Sequence, residues 1–248
     1  MDTLRFQQAC DAVLRKEKAS SGIGTLSEKS MHAVLKRYFE PDESRHEISV
    51  GGFVADIVNE NGIVEIQTRS LHGMNKKLDA FLACCKVTVV YPIVCTKRII
   101  WTDKETGEIR ISRSSNRKKS LSWALHEIYY LRKFISNPNF SICLMHIDAD
   151  DYRMQLNKSK ARRNCICDRF PTKLNEELYI NHPSDFLQFL PENLPCPFTT
   201  SDVAKSGNMP LPCAQSLMYF LYDANIAQRV GKDKNSYLYK LNVVGEQN

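Results

Sequence analysis

Nothing in this 248-residue chain approaches the roughly 18 consecutive apolar residues that a membrane span requires. The N-terminus, MDTLRFQQACDAVLRKEKAS, has no apolar h-region, so secretion is not expected and a cytoplasmic location is. There is no internal repeat and no low-complexity tract. The nine cysteines are an odd number, and none stand in C-x-x-C spacing, since Cys165 and Cys167 are one residue apart. A disulfide framework and a zinc ribbon are therefore excluded in favour of reduced thiols. Gly22-x-Gly24 lacks the following Lys-Ser/Thr and the preceding strand of a phosphate loop. The charge is not extreme: 34 basic against 28 acidic residues give +6, with 43% apolar and 25% charged residues. Such a composition excludes a disordered polyelectrolyte and points weakly to an acidic partner. The length admits one or two domains with a real core.

What is there falls into a recognisable order. Residues 4–18 predict a polar helix, and 20–24 a break. Met31, Val34, Leu35, Tyr38 and Phe39 recur at helical spacing, predicting a helix from Ser27 that Pro41 stops. Three β-like runs follow, His46–Val50, Phe53–Val58 and Ile63–Thr68. Gly51-Gly52 and Asn59-Glu60-Asn61-Gly62 separate them as hairpin signals. Met74–Cys85 reads as a helix whose Cys84-Cys85 end lies in the core. Val87–Val94 reads as a strand buried on both faces. The order is α-β-β-β-α-β. Further on, Ile99–Trp101 and Glu108–Ser112 predict a hairpin, and Trp123–Phe134 an amphipathic helix. Ser141–Ile147 and Leu174–Ile180 predict strands, and Asp148–Arg169 between them is polar and basic. His146, Asp148, Asp150 and Asp151 read as a strand end and an acidic turn rather than a metal cluster.

The residues that carry chemistry are Glu28, Asp56, Glu65 and Gln67. Asp56 and Glu65 lie nine residues apart across the Asn-Gly hairpin, so antiparallel pairing brings them side by side. Residues 65 and 67 share a face because side chains alternate. Two converging carboxylates suit a hard divalent cation, which activates water and neutralises charge on a phosphodiester. The plainer reading makes Asp56 a polar strand residue, Glu65 an edge residue and Glu28 a helix-start acid favoured by the macrodipole. Asp56 lies inside FVADIV, where a buried carboxylate requires a partner, whether a metal, a Lys or an Arg.

At these residues the chain resembles the PD-(D/E)XK nuclease superfamily, whose core has the same α-β-β-β-α-β order. The resemblance covers about residues 20–95. It implies a restriction-endonuclease-like mixed sheet, with Asp56 and Glu65 as metal-binding acids and Glu28 completing the site. The implied cofactor is Mg2+ or Mn2+. Gln67 stands where the family motif has Lys, and the resemblance assigns the missing charge to Lys76 or Lys77. The run GTLSEK…GGFVADI…EIQTRS also resembles uncharacterised bacterial proteins.

Pro191, Pro195 and Pro197 mark an expected boundary. Beyond it, Asp202–Ser206, Cys213–Ala224 and Gly231–Leu241 resemble a winged helix–turn–helix with a basic wing. The joining of the two modules resembles a bacterial transposon endonuclease subunit. The expected organisation is a nuclease-like core over 1–120, an α/β extension over 121–194 and a winged helix over 195–248. Double-stranded DNA is the expected partner, met by Lys118, Lys119, Arg162, Arg163, Gln215, Arg229, Lys232 and Lys234. A homodimer or protein contact through the winged helix is the other option. The expected function is Mg-dependent endonucleolytic hydrolysis. The alternatives are a non-catalytic DNA-binding or regulatory protein of the same fold, and a protein-docking assembly module.

Overall fold

Helices α1 (Thr3–Ala19) and α2 (Ser30–Phe39) lead into β1 (His46–Val50), β2 (Phe53–Asn59) and β3 (Gly62–Ile66). Helix α3 (Asn75–Leu82) then crosses to β4 (Val87–Asp103). The structure, a computed structural model, describes residues 1–19, 29–103, 106–112, 119–155 and 165–242. Glu28, Lys118, Arg162 and Arg163, the expected break at 20–24 and the helix start at Ser27 lie outside the described residues.

Each turn follows from its residues. Gly51 and Gly52 both adopt positive φ, +57° and +81°, which a two-residue type I′ hairpin requires and L side chains resist. In the next turn the Asn59 side chain accepts the Asn61 N–H at 3.0 Å. Gly62 closes that turn at φ +116°, where a Cβ would meet the Lys86 carbonyl oxygen at 2.3 Å. Glu40 ends α2 in an extended conformation ahead of Pro41, whose ring disfavours a helical predecessor.

The chain is a mixed α/β protein on a seven-stranded sheet; with β6 spanning Phe140–Gln155 and β7 Cys165–Ile180, the order is β1-β2-β3-β4-β6-β7, and β5 (Ile109–Ile111) pairs with β4. β3, β4 and β6 run parallel, while the β1, β2, β5 and β7 pairings are antiparallel. β4 is buried on both faces, as its β-branched run predicts. Val87 and Val89 feed one apolar cluster and Val90 the other. On one face α1 and α2 bury Phe6, Val34 and Leu35 against Ile57, Ile66 and Met145. Sealing each such side chain stabilises by about 1.5–3 kcal/mol. The opposite face carries α3, residues 121–134 and the C-terminal helices.

Three expectations are corrected. The polar stretch Asp148–Arg169 is strand for most of its length, because β6 runs to Gln155 and β7 begins at Cys165. The supposed acidic turn is strand. Its charges are held by cross-strand partners: Arg98 pairs with Asp150 in the β4–β6 register and Arg169 with Asp151 in the β6–β7 register. Burial opposes the Asp151 carboxylate, but the Arg169 hydrogen bond and charge outweigh it and hold Asp151 below the ordinary value. The expected helix 123–134 is instead a 3-10 turn (Leu121–Ala124), the single-turn helix α4 (Leu125–Ile128) and another 3-10 turn (Tyr129–Phe134). Leu125, Ile128, Leu131 and Phe134 are all buried. Their strict spacing of three matches the 3.0 residues per turn of a 3-10 helix better than 3.6. Finally, Cys84, just beyond the end of α3, is exposed and so lies outside the core, while Cys85 is half-buried against the apolar cluster.

After a 3-10 turn (Pro183–Phe189) come β8 (Phe198–Thr199), α5 (Thr200–Ser206), α6 (Leu211–Asp223), β9 (Ala227–Asp233) and β10 (Ser236–Leu241). β8, β10 and β9 form a three-stranded antiparallel sheet. Thr199 and Asp202 cap α5 reciprocally. α6 buries Leu217, Phe220 and Leu221 in the same cluster as the sheet, and Phe220 stacks on Phe186 at 4.3 Å.

Candidate functional site

Asp56 and Glu65 stand where two ladders stop. The β2–β3 register runs Asn59↔Gly62, Val58↔Ile63, Ile57↔Val64 and then ends. The β1–β2 register skips the pair that Glu47 would make with Asp56. Glu47 has φ +56°, the left-handed region that a glutamate adopts only under constraint. The distortion turns β2 about its axis: Ala55 and Ile57, two residues apart, belong to opposite apolar clusters.

Side chains replace the missing ladder bonds. The Asp56 N–H donates to Glu65 Oε1 at 3.0 Å, and the Ile66 N–H donates to Asp56 Oδ2 at 2.7 Å. Each carboxylate thus ties one strand to the other across the opening. Lys77, in the first turn of α3, reaches Glu65 Oε2 at 2.6 Å and lies over the Phe81 ring. His32 Nε2, on α2, lies 3.2 Å from Asp56 Oδ2. The Glu65 side chain is only 4% exposed and that of Asp56 18%. Among the described residues, Oδ1 of Asp56 takes no hydrogen bond.

The two acids are pushed in opposite directions. Burial opposes the Asp56 charge, but the His32 hydrogen bond and charge, the Ile66 N–H and nearby Lys77 outweigh it, so Asp56 is held below the ordinary carboxylate value. Burial, and then the charge of Asp56, raise Glu65; Lys77 and the Asp56 N–H offset only part of this. Adjacent carboxylates with divergent proton affinities are characteristic of sites that do chemistry.

A stability prediction follows from the sign. Between its unfolded and its higher folded pKa, Glu65 binds more protons in the native state, so its contribution to stability falls as pH rises through that interval. Glu65→Gln removes the group that titrates, so the stability of the unaltered protein relative to the variant should fall as pH rises through that interval. Thermal unfolding of both proteins across that range measures it, and a difference that stays constant or changes in the opposite direction would refute it.

The structure brings Asp56, Glu65 and Lys77 together and leaves Lys76 exposed on α3. Gln67 lies one residue beyond β3, and its N–H still bonds the Val90 carbonyl at 2.9 Å. The alternation therefore carries on to Gln67. Among the described residues no three His, Cys, Asp or Glu side chains form a metal-binding group. Sequence reasoning missed His32. The signal was its position four residues after Glu28, on the same stripe of a helix continued that far. The remaining sequence-derived positions lie elsewhere. Lys119 is exposed beside Trp123, Gln215 is exposed on α6, Arg229 and Lys232 are on β9, and Lys234 is in the turn after it. Among the described residues no helix is long and apolar enough to cross a membrane.

Fold and site together define a mixed α/β protein with a paired-carboxylate opening between β2 and β3. The chain belongs to the family described as a domain of unknown function (DUF8091), whose model matches residues 29–181. The match starts just before α2 and ends just after β7, so it includes His32, Asp56, Glu65 and Lys77. The chain is also 30% identical over 188 residues to an uncharacterised protein of Treponema pallidum (strain Nichols), covering 75% of this chain and 74% of that protein. No solved structure matches.

Proposed function

We propose that the chain is a nuclease of PD-(D/E)XK type, hydrolysing phosphodiester bonds in DNA with Mg2+ or Mn2+ held by Asp56 and Glu65. One observation carries the reading: the sheet opens at the point where both carboxylates stand, and a lysine from the next helix meets them there. The element order from α2 to β4 supports a restriction-endonuclease-like core. β8 to β10 with α5 and α6 support a winged helix.

The residues fit a hard cation in kind. They offer carboxylate oxygens, one of them without a hydrogen bond among the described residues, in a partly open site. In this reading Glu28, four residues before His32, joins them as a third acid. The bound cation supplies an activated water and neutralises charge on the phosphodiester. The chain's own groups do the rest. His32 holds Asp56 ionised, the Asp56 and Ile66 N–H groups orient the carboxylates, and Lys77 places beside Glu65 the positive charge that Gln67 does not carry.

A second reading has its own support. His32 and Lys77 already pair both acids internally, as they would in a non-catalytic DNA-binding protein of this fold. Incubating plasmid with the protein and Mg2+ or Mn2+, beside an Asp56→Ala, Glu65→Ala variant, separates the two. Cation-dependent nicking by the unaltered protein only is expected. Nicking by both, or by neither, rejects the catalytic reading.

A further inference from the structure

The exposed face of the C-terminal helix and hairpin carries an arrangement that neither the paired acids nor a duplex-reading helix uses. The Arg229 guanidinium lies 4.3 Å from the Tyr222 ring centroid and 3.9 Å from that of Tyr237. Lys232 Nζ lies 4.8 Å from the Tyr237 ring. One helical turn before Tyr222, Tyr219 meets Tyr129 edge-on at 4.9 Å. The row thus runs from the sheet-packed segment, along α6, onto β9 and β10. Its rings are not core: Tyr219 is 37% exposed, Tyr222 43% and Tyr237 39%.

We propose that this row binds single-stranded nucleic acid, with bases stacked on the exposed tyrosines and the backbone following Arg229 and Lys232. Two features favour a single strand over a duplex. α6 contains no Lys or Arg, and its outer face shows Gln215, Tyr219 and Tyr222. A helix entering a major groove needs donors for base edges and cations for the flanking phosphates. Exposed π-faces are idle against a stacked duplex but serve unpaired bases, whatever their sequence. The occupant's sign is set by Lys232, Lys234 and Lys240, which stand exposed on the same hairpin. An apolar protein partner has no use for cations so placed. The tyrosine rings also hold the Arg229 guanidinium in place, so its charge is fixed at this surface before a strand arrives.

The inference rests on the chain acting on nucleic acid, not on its cutting it. Binding is therefore measured with full-length protein in EDTA, by anisotropy of a labelled oligothymidine of about 20 nucleotides and of a duplex of similar length. Expected is binding of the single strand about tenfold tighter than of the duplex. Tyr222→Leu or Tyr237→Leu should weaken it by about tenfold, with Phe at either position restoring it. Lys232→Gln, at an exposed strand position, should lower the slope of log affinity against log salt by about 0.7, so the test survives should a Leu variant unfold. Equal or tighter duplex binding, unchanged affinity in folded Leu variants, or no binding at low salt would overturn the proposal. The Asp56→Ala, Glu65→Ala protein should bind as the unaltered one does. If neither cuts plasmid but both bind the single strand, the nuclease reading falls and the binding surface stands.

Discussion

Phe220→Ala lowers the stability of the whole chain by about 3–5 kcal/mol, the usual cost of emptying a buried phenylalanine site. Phe220 is 3% exposed and stacked nearly parallel on Phe186, with Tyr129 and Tyr219 as further ring neighbours. The cavity would open between α6 and the 3-10 turn that follows β7. Because α6 and the sheet share one buried cluster, the loss should be felt by both. Urea unfolding followed by far-ultraviolet circular dichroism and by tryptophan fluorescence should show one coincident transition, displaced to lower urea in the variant. Two separated transitions, with only the smaller displaced, would instead make the C-terminal helices and hairpin an independent unit.

On the proposed nuclease reading, Lys77→Ala is expected to reduce cleavage about 100- to 1000-fold, the range found when one preorganised electrostatic group is removed. Its Nζ is the nearest described cation to Glu65. Its loss would leave a nearly sealed carboxylate facing Asp56 with the Asp56 N–H as its remaining donor among the described residues. Glu65, already raised by burial and by Asp56, would rise further, so the acidic limb of the pH–rate profile should move to higher pH. A purely structural role would lower the rate without moving that limb. Gln67→Lys in the Lys77→Ala background should recover part of the rate, because alternation along the continued β3 ladder puts residue 67 on the face of Glu65. No recovery, together with an unmoved limb, would remove Lys77 from the site.

Much of the site was legible because its signals are local. Gly51-Gly52 and Asn59–Gly62 announce two tight hairpins, and tight hairpins fix register. With the register fixed, the approach of Asp56 to Glu65 follows from counting. The helix faces of Val34, Leu35 and Tyr38, and of Leu217, Phe220 and Leu221, were legible from spacing alone. His32 was not, because a lone histidine on an apolar helix is usually a core residue, and only the sheet behind α2 shows which acid it meets. Lys76 and Lys77 were indistinguishable for the same reason: they are neighbours in sequence, but the helix turns one outward and the other toward Glu65.

The polar ends of β6 and β7 show the limit from the other side. DADDYR and CDRF contain almost nothing that local rules would place in a strand. They form one because Asp150 meets Arg98 and Asp151 meets Arg169 across the ladder. Those pairings join residues 52 and 18 positions apart. By itself, the sequence determined the turns, the hairpin register, the apolar faces and the nearness of two carboxylates, since each depends on residues within a few positions. Tertiary structure alone decided that the ladder opens at Asp56 and that His32 and Lys77 close on the acids. It also decided that Arg229 lies over the Tyr222 and Tyr237 rings. Each of these is a contact between elements distant in the chain, and its geometry is set by the packing of helices on the sheet.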